Sequence, residues 1–362
     1  GLDLATVSWL ISAFAIIGAL IGAPMGLAID RLGARRVVAA GLVLQALGSA
    51  LGGSAPGAAS LLATRVIEGL GFLGVVVAAP ALITAAVRDE DRKRAMALWA
   101  TFMPVGMTVV MLAAPLLSLL AWRGFWWLNA AVLLGYAIVL DRLLVVASPD
   151  PRQDAHEARP TIRQAIGAAM AAPGPWILAG LFAAFTASFF AALGFLPTLL
   201  VDWFAIDAAT ASQLSALAIA ASGLGNLACG QMLARGARPR RLLAAAFVIQ
   251  AVCAVVIFAP MVPRGLAYAT CLVFSFTGGL IPVVIFDAAP RAAPDAGLVG
   301  ATLGMAMQGN NLGLLLGPAL AGWLAGTWGW PAVAGLIGLL TLLALLLVAA
   351  LSPARAGTGQ PR

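Results

Sequence analysis

Gly26-Leu27-Ala28-Ile29-Asp30-Arg31-Leu32-Gly33-Ala34-Arg35-Arg36 ends one long apolar run and begins another. The apolar stretch before it covers residues 6–28 and the one after it 37–54. A helix needs about 20 apolar residues to cross about 30 Å of hydrocarbon. Two such runs joined by a charged turn read as two membrane-spanning helices. Gly26 lets a neighbouring helix approach closely. Gly33 permits a tight turn. Asp30 adds an anion among the cations Arg31, Arg35 and Arg36.

Reading outward gives nine further runs, at 60–86, 95–120, 124–146, 175–201, 210–234, 242–261, 265–287, 298–325 and 331–351. The expected fold is an all-α, multi-pass membrane protein. Composition agrees: 62% of the chain is hydrophobic and 10% charged. A soluble domain averages about 45–50% apolar and about 25% charged, and would have no place for this excess. Backbone polar groups in lipid must be satisfied within the segment, which favours helices over open strands.

The charges fix a topology. Of the 21 Lys and Arg, all but Arg65, Arg123 and Arg264 fall in alternate connections on one side. By the positive-inside rule that side is cytoplasmic. A net charge of +7 distributed this way orients a membrane protein and does not imply a nucleic-acid partner. Asp3 precedes the first run with no basic segment, so no leader is read there. Cys229, Cys253 and Cys271 lie in apolar runs, and the only histidine, His156, lies in a loop. No metal site, cofactor or catalytic cluster is expected, and enzymatic function is read as absent.

The chain divides into residues 1–146, a polar cytoplasmic connection at 147–174, residues 175–351, and a cytoplasmic tail at 352–362. Thr161–Met170 within the connection reads as a surface helix. An internal repeat joins the two large parts. Gly26 matches Gly230, Pro80 matches Pro282, Arg88 matches Arg291, and Ala114-Pro115 matches Gly317-Pro318, at offsets of 202 to 204. Such repeats build two related bundles in transporters. The first part has five runs and the second six. The partner of run 175–201 would fall before residue 1, so one upstream helix is expected to be missing.

The opening motif resembles the signature of the major facilitator superfamily (MFS). There it joins the second and third helices, which again implies a missing first helix and eleven of twelve spans. The resemblance implies two pseudo-symmetric bundles and a gating role for Gly26, Asp30, Arg31, Gly33, Arg35 and Arg36. Asp30 would latch onto the start of a helix of the other bundle, beginning near Gly297. Arg65-Val-Ile-Glu68-Gly69-Leu-Gly71 resembles the family's Arg-x-x-x-Gly-x-Gly pattern in a cavity-lining helix. Arg65 and Glu68 share a helix face and are costly within a span. Arg65 is a candidate for binding an anionic group and Glu68 for carrying a coupling proton; the bland alternative is a structural pair between them.

The family's antiporters carry a glycine-rich Gly-Pro motif, but Leu117 and Ser118 stand where a glycine pair is expected. Gly309, Gly313, Gly317-Pro318 and Gly322 permit close helix packing. Trp122-Arg123 reads as an interfacial anchor. Glu68-Gly-Leu-Gly-Phe72 with Phe102-Met-Pro104 is loosely similar to bacterial cyanate and nitroimidazole carriers. Further candidates for the substrate site are Phe189, Phe190, Tyr268, Phe274, Gln308, Asn310 and Asn311. Asn310 and Asn311 could equally bond between helices.

One Arg, one Glu, amides and aromatics suit a small organic anion or a mixed polar-aromatic solute. The expected function is secondary active transport of a small organic solute by alternating access, with a proton as candidate coupling ion. A drug or metabolite efflux antiporter, a transport-inactive fragment and a transporter-like receptor are the alternatives. The expected setting is a monomer in the lipid bilayer of a bacterial inner membrane, with a small-molecule substrate.

Overall fold

The computed structural model describes residues 4–113, 116–144 and 162–351. Within them the chain forms α1 (Leu4–Leu32), α2 (Ala34–Gly53), α3 (Ala58–Ala86), α4 (Arg92–Ala100), α5 (Phe102–Leu112) and α6 (Leu116–Leu144). After the connection come α7 (Ile162–Ala171), α8 (Pro173–Leu193), α9 (Leu196–Phe204), α10 (Ala208–Ala234) and α11 (Pro239–Phe258). The last helices are α12 (Arg264–Ala292), α13 (Val299–Trp328) and α14 (Pro331–Ala350). No strand occurs among the described residues.

Ten of the described stretches are long and apolar enough to cross a membrane. The eleventh expected span, α13, falls outside that set although it is 30 residues long. Gln308, Asn310 and Asn311 lower its hydropathy, and a helix packed inside the protein can carry such amides. The fold is thus the expected all-α, multi-pass arrangement of two pseudo-symmetric bundles.

Two expected spans are interrupted within their length, and each break lies beside a proline. The span expected at 95–120 divides into α4 and α5 at Thr101. Pro104 has no N–H for the carbonyl of Ala100, four residues back. The span expected at 175–201 divides at Gly194-Phe195, just before Leu196-Pro197. The boundary expected between residues 120 and 124 is a kink at Ala121, with φ 51° and ψ 169°, where the end of one expected span and the next run together as α6. That break keeps the change of direction ahead of Trp122-Arg123. The Arg123 guanidinium lies 4.2 Å from the Trp122 ring centre and donates to the Ala55 carbonyl at 3.1 Å.

The expected surface helix is α7. Its buried Ala165 and Ala169 pack with Leu27 of α1 and with Ala301 and Met305 of α13. Ala114-Pro115, His156, most of the 147–174 connection and the 352–362 tail lie outside the described residues.

The basic residues collect at one end of the bundles. Arg31 ends α1, Arg92, Lys93 and Arg94 open α4, and Arg142 ends α6. Arg238, Arg240 and Arg241 stand at the start of α11, and Arg291 ends α12. At the opposite end Asp207 caps α10. Its carboxylate accepts from the Thr210 hydroxyl at 2.6 Å and from the Thr210 and Ala209 amides at 3.0 and 2.9 Å. These bonds hold its pKa below the ordinary carboxylate value.

Candidate functional site

The opening motif lies where α1 crosses α13. A Cβ on Gly26 would collide with the Gly300 carbonyl, and one on Gly300 would collide with Asp30 and the Gly26 carbonyl. The two backbones therefore approach more closely than any side chain allows. This closeness delivers Asp30 to the start of α13. Its Oδ1 accepts from the Gly300 amide and its Oδ2 from the Ala301 amide, each at 2.9 Å. Both N–H groups belong to the first turn of α13, whose donors have no partners within the helix. Gly33 sits between α1 and α2 at φ 86°, the left-handed region that favours glycine. Arg31, Arg35 and Arg36 stand beside this crossing in sequence, on the basic face.

A second crossing repeats the first. A Cβ on Gly230 of α10 would collide with Ala97 of α4. Gly230 is the repeat partner of Gly26, and Ala97 and Gly300 are 203 apart, the offset of the repeat. Here the charge is reversed. Lys93 Nζ, from the first turn of α4, donates to the Leu233 carbonyl near the C-terminal end of α10 at 2.9 Å. A cation suits that end of a helix as an anion suits the other. Gly230 stands out in the sequence through the repeat, but Lys93 does not, because the residue it meets is 140 positions away.

Between these crossings and the opposite face lie two joined cavities. The narrower, of about 80 Å³, is bounded by Phe72, Phe102, Met103 and Pro104 of the first half. Phe182, Phe185, Phe189, Phe190 and Phe286 bound it from the second. Its polar lining is Thr186, Ser222, Asn226 and Asn310. The wider, of about 690 Å³, shares Met107, Phe189, Phe190 and Ile219 with it. This one reaches Met111, Phe195, Pro197 and Pro318, toward the face opposite the basic one. No charged side chain lines either cavity among the described residues.

The aromatic walls are mutually packed. Phe182 meets Phe286 edge-on at 5.9 Å, and Phe189 lies 5.6 Å from both Phe185 and Phe190. Across the cavity Phe102 stacks on Trp99 at 4.9 Å and lies 6.3 Å from Phe72.

The remaining candidate residues separate by place. Phe189, Phe190 and Asn310 line the cavities. Phe274 is fully buried behind Phe189, 6.4 Å away, and the Tyr268 hydroxyl donates to the Leu214 carbonyl of α10 at 3.0 Å. Gln308 donates to the Ala19 carbonyl of α1 at 2.9 Å. Asn311 donates to its own helix at Met307, 2.7 Å away, and sits where a Cβ on Gly18 would be. Gln308 and Asn311 thus join α13 to α1, whereas Asn310 accepts from the Thr186 hydroxyl of α8 at 2.7 Å. The glycine row at 309, 313 and 317 faces α8, at Ala179, Ala183 and Ala187.

Arg65 and Glu68 form an ion pair with each other. The Arg65 guanidinium also stands 3.8 Å from the centre of the Trp126 ring of α6. A Cβ on Gly48 of α2 would meet Glu68. The pair therefore faces α2 and α6 and is not among the residues lining the cavities. Breaking a buried pair strands the remaining charge, at a cost of several kcal/mol when fully buried. Arg65 is partly accessible, with its side chain 21% exposed, so about 2 kcal/mol is expected here. Arg65→Met alone should lower the melting temperature of the purified protein more than Arg65→Met with Glu68→Leu. A double variant that melts below the single would show that the pair contributes more than mutual neutralisation.

Asn226 is a cavity residue absent from the sequence-based candidates. Its Nδ2 donates to the Ala100 carbonyl of α4 at 2.8 Å, the carbonyl that Pro104 leaves without an N–H. An amide among the apolar residues of 210–234 is the one signal of it in the sequence.

Comparison with known proteins bears on the whole arrangement. The family model described as Major Facilitator Superfamily matches residues 1–308. No curated protein sequence matches the chain. Among solved structures it is similar to the MFS transporter FucP in the outward conformation, with a TM-score of 0.77 at 17% identity over 98% of this chain and 91% of that one. The E. coli fucose:proton symporter FucP, as a single-substitution variant, gives 0.76 at 17% identity over 97% and 92%. The human organic anion transporter MFSD10 (TETRAN) gives 0.75 at 17% identity over 94% and 83%.

Proposed function

The chain belongs to the Major Facilitator Superfamily and is a membrane transporter rather than an enzyme, and we propose that it is a secondary active carrier of a small organic solute working by alternating access. The observation that carries this reading is one of opposites. The halves meet in two close crossings on the basic face, while the cavity between them widens toward the other face. A carrier needs that asymmetry and the ability to reverse it.

In this reading the basic face is cytoplasmic, by the charge rule, in a bacterial inner membrane. Residues 1–146 and 175–351 act as the two moving bodies. Asp30 and Lys93 hold the cytoplasmic gate shut, with Gly26 and Gly230 as the surfaces on which the helices close. The solute enters the wide cavity and settles between the phenylalanine walls. The closing of the outer ends and the parting of the inner crossings then release it on the other side.

A proton is the candidate coupling ion. Glu68 is the carboxylate lying well within a span among the described residues, buried at 5% exposure and paired with Arg65. Its protonation would release Arg65, so coupling at Glu68 means remaking a contact between α3 and α6 and not one at the solute. Reconstituted protein should show solute uptake driven by a pH gradient. Glu68→Gln should remove the dependence on that gradient while leaving exchange of solute across the bilayer. Uptake in wild-type vesicles that ignores the gradient would eliminate the proton role. Absence of any solute exchange across a broad panel would eliminate the carrier reading itself.

A further inference from the structure

We infer that the cavity between the two halves takes an uncharged aromatic solute that carries a hydrogen-bond donor, with the rings held between the phenylalanine walls and the donor on Asn226 Oδ1. The inference rests on the carrier reading and names the class of its substrate.

The lining carries no charge among the described residues. The ion pair that would have recognised an anion, Arg65 with Glu68, is turned toward α2 and α6. What remains around the cavity is Phe, Met and a few neutral polar groups. An isolated ion moved into such surroundings loses its hydration and gains no partner. A neutral solute avoids that penalty.

The walls favour rings. Phe72 and Phe102 stand on one side, and Phe182, Phe185, Phe189 and Phe190 on the other. Phenyl groups attract other aromatic rings in offset or edge-to-face geometry, by about 0.5–1.5 kcal/mol beyond the area buried. The wide cavity of about 690 Å³ admits a one- or two-ring molecule, and the narrow end limits how far it goes.

The hydrogen-bond requirement comes from Asn226. It is 2% exposed, lines the narrow end, and its Nδ2 is taken by the Ala100 carbonyl. That bond fixes the amide, and its buried Oδ1 has no partner among the described residues. A buried acceptor left empty costs about 1–3 kcal/mol, which a ligand donor recovers. Close by, Ser222 donates its hydroxyl to its own helix at 2.8 Å. Ser222 can therefore accept but not readily donate, which reinforces the preference for a ligand N–H or O–H.

Indole, 1-methylindole and indole-3-carboxylate separate these demands. Equilibrium binding of each radiolabelled probe to the purified full chain should rank indole first. Indole should bind about tenfold tighter than 1-methylindole, the value of one satisfied hydrogen bond. Indole-3-carboxylate should bind more weakly than both. Asn226→Ala should make indole and 1-methylindole bind alike, a change that a general loosening of the cavity would not produce. Because Asn226 also supports α4, Phe190→Ala is measured beside it and should weaken both neutral probes together. Tightest binding by the carboxylate, or no preference for indole in the wild type, overturns the assignment. A carrier that exchanges some charged solute while binding neither of the neutral rings overturns the substrate class and leaves the carrier reading standing.

Discussion

Asp30→Asn is expected to move the inner gate toward its open arrangement by about 10- to 100-fold. The count of acceptors sets the size of the effect. The carboxylate uses one oxygen for each of two amides at the start of α13. Asparagine has one acceptor oxygen and a pair of donors, so one amide loses its partner and meets an NH₂ group instead. Hydrogen bonds to charged groups are worth about 1.5–3 kcal/mol, and the favourable pairing of an anion with a helix N-terminus is lost as well. The backbone is otherwise untouched, so membrane insertion should change little. The measurement is the distance between spin labels at positions 36 and 238, both exposed at the basic face, with Cys229, Cys253 and Cys271 replaced. The variant should populate a longer distance that the wild type lacks. A distance distribution unchanged by the substitution would show that Asp30 does not hold the gate.

The contact between Asp30 and the start of α13 is expected from the resemblance of its motif to the MFS signature, since Gly300 and Ala301 lie 270 and 271 positions away and only the motif around Asp30 is local. A small residue stands four before it, a turn glycine three after it, and a span on either side. The spans and the gathering of basic residues at one end are legible directly, since hydropathy and charge are local properties. Residues whose roles depend on the rotation of a helix are not. Gln308, Asn310 and Asn311 look equivalent in the sequence. At 100° per residue, 308 and 311 fall near one face while 310 turns away from it. The first two meet α1 and the third meets α8. The same rotation takes Arg65 and Glu68 to α2 and α6, away from the cavity that their charge suggests. Asn226 is hidden for a third reason: its partner is a carbonyl orphaned by a proline 122 positions earlier, on the other half. No window on the sequence spans that relation.

The two crossings constrain the motion more than either does alone, because they lie on different helices and are joined only through the bodies of the bundles. If each half moves as one piece, the gate cannot open at α1 and α13 while staying shut at α4 and α10. Lys93→Met removes the ammonium that meets the Leu233 carbonyl, and should by itself favour opening by about tenfold, the lower end for a charged hydrogen bond because the side chain is half-exposed. The informative quantity is where the effect appears. A label pair placed across the α1–α13 crossing should report the Lys93 substitution, and a pair across the α4–α10 crossing should report Asp30→Asn. The double variant should shift the gate by about the product of the single effects, since both contacts are broken in the same event and lie on separate helices. Fraying at each crossing on its own would leave the distant pair unmoved and the double variant no more open at either site than the corresponding single. Reciprocal movement would make the repeat mechanical as well as ancestral: one half contributes the anion to the other's helix start, and then the cation to the other's helix end.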